Sequence, residues 1–288
     1  KEQLRKASEA LANNQPERAR RLINQALEKD QNDTEALWIM ARLLESRGES
    51  SQWINTLKKL KNLLPEELGI VDELARAFAK IKRLSESVSL YREFLVHKPN
   101  SVNARYNYAY YLSRVGEYEE AVNQYELLLV KDVENPEEIH LNLAKIYSDR
   151  FYKYQLSLKH LNSALKLNRS YAEAWFNLGN LNEQLGDLTE AKSCFSKVTD
   201  LGDESGAALA RLADLQRFEE GGKEMIDRLE RKLNASRDPN PDLMFSLGRA
   251  YEQTGEYEKC LNLYQSANSI DWQYLPLYNR ELMEKIVD

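Results

Sequence analysis

Cysteine is nearly absent: Cys194 and Cys260 are the only two in 288 residues, too few for a disulfide framework in so long a chain. Each falls on a helix position expected to pack inward as a reduced core thiol, which fits a reducing compartment and points to the cytoplasm. Long apolar runs are absent too, and no stretch approaches the ~20 residues that span a bilayer, so membrane insertion is not expected. Charge of one sign is never concentrated. The 40 basic and 46 acidic residues give a net −6 and are interspersed, without the electrostatic footprint of a nucleic-acid binder.

The motifs of common chemistries are also missing. There is no CxxC or HExxH, and the nearest approach to a phosphate loop, Gly221-Gly222-Lys223, has no strand before it. The three histidines, His97, His140 and His160, fall in separate parts of the chain and make no ligand pair four residues apart. His140 stands where Trp175 stands one repeat later, a packing position. With no activated nucleophile, metal set or phosphate loop, neither catalysis, a cofactor nor a metal is expected of these residues. The chain begins KEQLRKASEA and ends ELMEKIVD in an apolar-periodic run, so both ends read as cuts within a longer protein.

What is present is a period. Small residues recur at Ala7, Ala41, Ala75, Ala109, Ala144, Gly179, Ala213 and Gly248, at intervals of 34, 34, 34, 35, 35, 34 and 35. A second set keeps step: Ile23, Leu57, Tyr91, Tyr125, Leu161, Phe195, Leu229 and Tyr264. Between them apolar residues recur at three and four, the amphipathic-helix period. The two sets define eight helical hairpins, in which a small residue of the first helix lets the second approach closely. Gly48, Gly116, Gly186 and Gly255 fall where the first helix should stop in a left-handed residue. Glu49, Glu117, Asp187 and Glu256 follow, each at the positive end of the second helix's dipole. Pro65 and Pro99 close second helices.

The spacing from Tyr171 to Gly202 is W-x2-L-G, a turn glycine seven residues on, and A-x3-F, carried by Trp175, Leu178, Gly179, Gly186, Ala191 and Phe195. This resembles the tetratricopeptide repeat (TPR). The resemblance implies an all-α, right-handed superhelical solenoid of about eight helix-turn-helix repeats, which acts by binding protein or an extended peptide. Residues 1–205 read as a regular array of about six repeats, 206–271 as two divergent hairpins, and 272–288 as a connector with a capping or linker helix. The fifth repeat carries an inserted residue in Asp149–Gln155. The seventh lacks its turn glycine, has Glu219–Gly222 instead, and ends in a Pro239/Pro241 loop, Ser236–Asp242, the best seam in the chain.

In such arrays the first helix of each repeat lines the concave surface. Asn107, Asn142 and Asn177, spaced 35 and 35, fall in one row there, beside Tyr106, Tyr110, Lys145, Phe176 and Asn180. A carboxamide can satisfy a peptide's C=O and N–H together, so the row suits an extended polypeptide held by its backbone, with aromatic area alongside. It resembles the asparagine ladder of O-linked N-acetylglucosamine transferases, but is short: Ile39, Glu73, Arg211 and Ser246 hold the equivalent positions elsewhere. A carboxylate clamp of the chaperone-cofactor type does not fit. Around Asn142 its positions hold Tyr106, Tyr110, Glu173 and Asn177.

From Ser205 onward the order of residues is similar to the region preceding the catalytic domain in bacterial TPR-containing sulfotransferases. It is carried by Arg217-Phe218, Leu247 to Tyr257, Ala267-Asn268 and Tyr278. That resemblance implies a non-catalytic arm in contact with a catalytic domain beyond Asp288, since no P-R-S-G-T-like donor loop occurs before it. A free-standing adaptor in envelope, secretion or other complex assembly is the alternative. Self-association stays open under both.

Overall fold

The computed structural model describes residues 2–131, 133–203, 205–216, 222–236 and 240–270. Arg217, Phe218, Pro239, Tyr278 and the whole 272–288 segment singled out above lie outside the described residues.

Among the described residues the chain forms sixteen helices and no strand. They are α1 (Glu2–Ala12), α2 (Pro16–Lys29), α3 (Thr34–Ser46), α4 (Ser50–Leu63), α5 (Leu68–Lys80), α6 (Leu84–His97), α7 (Val102–Val115), α8 (Tyr118–Leu129), α9 (Pro136–Asp149), α10 (Tyr154–Leu167), α11 (Ala172–Leu185), α12 (Leu188–Asp200), α13 (Ala207–Asp214), α14 (Gly222–Ala235), α15 (Pro241–Thr254) and α16 (Tyr257–Asn268). Odd and even helices are the first and second members of the hairpins expected from the period. The helices fall into two compact units, Lys1–Ile139 and His140–Asp288, divided within α9.

In the first unit each helix packs on the next from α1 to α8. Its opening core joins Leu4, Ala7, Ala10, Ala19, Ile23, Ala36, Ile39 and Leu43, so α3 already covers the first hairpin. In the second unit one core is built around Leu141, Ala144, Leu161, Leu178 and Cys194. Another runs from Ala191 and Phe195 through Leu212, Leu229 and Leu247 to Cys260. Both cysteines are free and buried, and burial pushes the Cys194 thiol up to about 11, so it stays protonated in the core.

All eight small positions are buried, and so are seven of their large counterparts; Tyr264 is half-buried. The contact can be read directly where the small residue is glycine. A Cβ on Gly179 would lie 2.6 Å from Phe195 Cε1, and one on Gly248 would lie 2.4 Å from Tyr264 Cε1. At these two hairpins the aromatic ring occupies the space of the missing side chain.

The turn between the helices of a hairpin is left-handed at Gly48, Gly116, Gly186 and Gly255, with φ between 72° and 90°. The register goes further than the glycines. Asn14, Lys82 and Tyr152 take φ of 54°, 61° and 54° at the equivalent points of their hairpins. Asparagine tolerates this conformation, but Lys82 and Tyr152 are strained there by roughly 1–2 kcal/mol each, so at those two hairpins packing sets the turn and overrides the residue's own preference. The inserted residue of the fifth repeat lengthens its turn: residues 150–153 separate α9 from α10, where 116–117 separate α7 from α8. Asp187 caps α12 by accepting from Glu190 N. Glu49 makes no side-chain cap and instead pairs with Arg20 and Arg47.

The seventh repeat departs from the others in its first helix. Its first helix, α13, has only 8 residues and runs beside α12 and α15. Asp203 organises the entry, accepting from Gly206 N at 2.9 Å and Leu209 N at 3.1 Å. At the far side Asn240 caps α15 through Leu243 N and donates to Ser205 O.

The Gly179–Phe195 contact yields a test with an unusual sign. Alanine favours a helix over glycine by about 0.8–1.0 kcal/mol, yet Gly179→Ala should destabilise the protein by about 1–3 kcal/mol because the fully buried ring cannot retreat. Urea unfolding of Gly179→Ala and of Gly179→Ala/Phe195→Leu should show the loss and its partial recovery. A stabilised single variant would contradict the close-contact reading.

Candidate functional site

The residues singled out for partner binding sit on α7, α9 and α11, the first helices of repeats four to six. Tyr106, Asn107 and Tyr110 belong to the first unit; Asn142, Lys145, Phe176, Asn177 and Asn180 belong to the second.

In the first unit Asn107 is half-buried and already engaged. Its amide donates to Asp72 Oδ1 at 2.9 Å, and the buried Tyr91 hydroxyl donates to the same oxygen at 2.6 Å. Tyr91 fills the large position of its hairpin, where Phe195 stands two hairpins after the next, so its hydroxyl needs a partner inside the fold. Burial first, and then Asp72, push this hydroxyl well above the ordinary tyrosine range, so it remains a donor. Asp72, Tyr91 and Asn107 therefore tie α5, α6 and α7 together. The Tyr106 ring meets Tyr125 edge-on at 5.8 Å. Tyr110 is 40% exposed, rests edge-on against Tyr111 at 5.2 Å, and receives Arg114 over its face, with Nη1 donating to its hydroxyl at 3.2 Å.

In the second unit the Asn177 amide donates to the Glu173 carbonyl of its own helix at 2.8 Å. Asn142 and Asn180 are half-buried. Lys145, exposed, reaches across to Glu173 at 3.4 Å. Phe176 is half-buried against Phe195, with ring centroids 5.6 Å apart. The chemistry assembled on α9 and α11 is carboxamide, ammonium and aromatic ring.

Ion pairs join successive first helices on this side of the hairpins. Arg76 of α5 bonds Glu45 of α3, Arg211 of α13 bonds Glu183 of α11, and Arg249 of α15 forks onto Asp214 of α13. The Arg76 guanidinium, with the Arg42 and Lys80 charges in support, holds Glu45 below the usual carboxylate range. Such exposed pairs contribute roughly 0–1 kcal/mol each.

The periodic reading kept His140 and His160 apart, and the structure corrects it. Helices α9 and α10 bring the two rings together, with Nδ1 atoms 2.9 Å apart and centroids at 5.2 Å. Tyr147 stacks on His160 at 5.5 Å. Placing both residues on the hairpin grid, four before Ala144 and one before Leu161, would have paired them; counting along the chain could not. Among the described residues no group of three or more His, Cys, Asp or Glu side chains is placed to hold a metal ion, and no helix is long and apolar enough to cross a membrane.

Comparison with known proteins agrees with this architecture. The tetratricopeptide repeat matches residues 4–51, 90–123, 172–201 and 241–272, and a TPR repeat matches 153–186. The chain is a tetratricopeptide-repeat protein. Among solved structures, a tetratricopeptide repeat protein from Parabacteroides merdae is 17% identical, with a TM-score of 0.61 over 85% of this chain and 95% of that one. The APC/C hetero-tetramer Cut9-Hcn1 is 16% identical, TM-score 0.55, over 88% and 50%. MamA from residue 41 of Desulfovibrio magneticus RS-1 is 18% identical, TM-score 0.51, over 58% and 94%. At such identities the likeness is one of fold. No curated protein matches the chain.

Burial lowers both histidines, and His160 is pushed down to about 4. The rings are neutral in the fold and protonate near 6.5 when unfolded. Their contribution to stability is therefore complete above pH 6.5 and is lost as pH falls from 6.5 towards 4. His160→Phe keeps a ring against Tyr147 and removes the larger of the two titrations, that of His160. Urea midpoints at pH 7.0, 5.5 and 4.5 should fall more steeply in the parent than in this variant; parallel slopes would show that the pair does not couple to folding.

Proposed function

We propose that the chain is a protein-interaction scaffold that holds an extended polypeptide along the first helices of its repeats, chiefly through Asn142, Lys145, Phe176, Asn177 and Asn180. The observation that carries this reading is the polar and aromatic row on α9 and α11, set on a tetratricopeptide framework. Asn107 contributes less than its place in the row suggests, because its amide serves Asp72.

Peptides selected against the full chain from a random display library provide the probe. Asn142→Ala/Asn177→Ala should weaken the selected peptide by roughly 5- to 150-fold, two hydrogen bonds at about 0.5–1.5 kcal/mol each, with little change in melting temperature. Unchanged affinity would remove the row from the binding account. A large fall in melting temperature would make these asparagines structural, as Asn107 is.

The order of residues after Ser205 supports a finer reading, that this scaffold is the non-catalytic arm of a sulfotransferase-like protein and presents its substrate protein. Gene sequence downstream of Asp288 should then encode a strand followed by a P-R-S-G-T-like loop and a helix. Another kind of domain there would leave a free-standing or differently fused adaptor.

A further inference from the structure

We propose that the turn between α5 and α6, with the flank of α4 beside it, is a docking surface for an acidic polypeptide segment rich in aspartate and glutamate, carried by Lys58, Lys80 and Lys82. The turn reads Lys80-Ile81-Lys82-Arg83, whereas Glu49, Glu117, Asp187 and Glu256 follow the glycine of the four glycine turns. Lys58, Lys80, Lys82 and Arg83 are all exposed.

Two buried rings gather these cations. Lys80 Nζ lies 5.6 Å from the centre of a Trp53 ring, on which Arg76 also rests at 5.3 Å. Lys58 Nζ lies 5.7 Å from the centre of the Phe78 ring, and the Arg83 guanidinium 5.4 Å from it. A ring face attracts a cation through its quadrupole but leaves its charge in place. The two arginines already have carboxylates: Arg76 bonds Glu45 and Glu73, and Arg83 bonds Glu86. Lys58, Lys80 and Lys82 stand in no ion pair among the described residues.

Lys82 adds a second observation. It holds φ at 61° where four other hairpins place glycine, which would take this backbone freely. Strain kept at an exposed charge points to a use for that charge. Charge complementarity then sets the partner. Three compact ammonium groups suit separate carboxylates, not the bidentate grip of arginine. The hairpin turns on either side carry Glu49, and Glu117, Glu119 and Glu120. A polyphosphate chain or an anionic bilayer would extend past one turn and meet those carboxylates, whereas a short acidic segment would not. The surface lies in the first unit and shares no residue with the row on α9 and α11, so it stands whether or not that row binds.

Fluorescence anisotropy of a fluorescein-labelled peptide of alternating aspartate and glutamate, titrated with the full chain at about 20 mM and about 200 mM sodium chloride, tests this. The parent should bind at the lower salt and weaken at least about 5-fold at the higher. Lys80→Glu/Lys82→Glu should lose at least about 5-fold in affinity, whereas Arg18→Glu/Arg21→Glu, an equal change of net charge at exposed positions of α2, should lose less than about 2-fold. Lys82→Gly should raise the urea midpoint, because glycine relieves the turn, and yet weaken the peptide about 2- to 5-fold. A parent that does not bind the peptide, or equal losses in the two double variants, would overturn the proposal. So would undiminished affinity in Lys82→Gly, or tighter binding of oligouridylate or of phosphatidylserine vesicles than of the peptide.

Discussion

The close approach of two helices at a small residue governs the rest of this molecule. At each of eight points an alanine or glycine on a first helix is buried, and in the glycine hairpins a ring of the second helix fills the vacated space. Alanine and glycine add little apolar area themselves. Their effect is geometric, since they fix how near the helices lie and therefore which side chains beyond the contact meet. The left-handed turns follow from the same constraint. Lys82 and Tyr152 accept a conformation they disfavour because the two helices must return to contact within a few residues.

The candidate site depends on that constraint in turn. The residue after each small position and the one two before it lie on the side of the first helix away from its partner. Hence Lys145 and Asn180 share a row with Asn142 and Asn177. At Tyr91 the row is altered. The Tyr91 hydroxyl draws Asp72 inward, and Asp72 draws Asn107. One hydroxyl group thus makes Asn107 part of a bridge between three helices, whereas Leu161, which stands in the same relation to Asn177, has no hydroxyl to make such a demand.

Most of the fold was legible because its cause is a spacing. The small and large positions, the glycine stops and the divergence of the seventh repeat are all visible as sequence. Features that arise across a hairpin were not. The left-handed residues at Asn14, Lys82 and Tyr152 carry no glycine to announce them, and only the register identifies them. The Asp72–Tyr91–Asn107 network joins residues on three helices. His140 and His160 are 20 residues apart and meet only because α10 folds back on α9. In the candidate site the positions were legible, but the intramolecular partners that decide which side chains remain available were not.

The central claim, that the first helices of the repeats carry a polypeptide, is tested most directly by hydrogen–deuterium exchange of the full chain with and without a selected peptide at saturation. The account predicts added protection on α9 and α11, centred on Asn142 and Asn177, with α10 and α12 unchanged. Protection confined to α10 and α12 would contradict it, because those helices present none of the row.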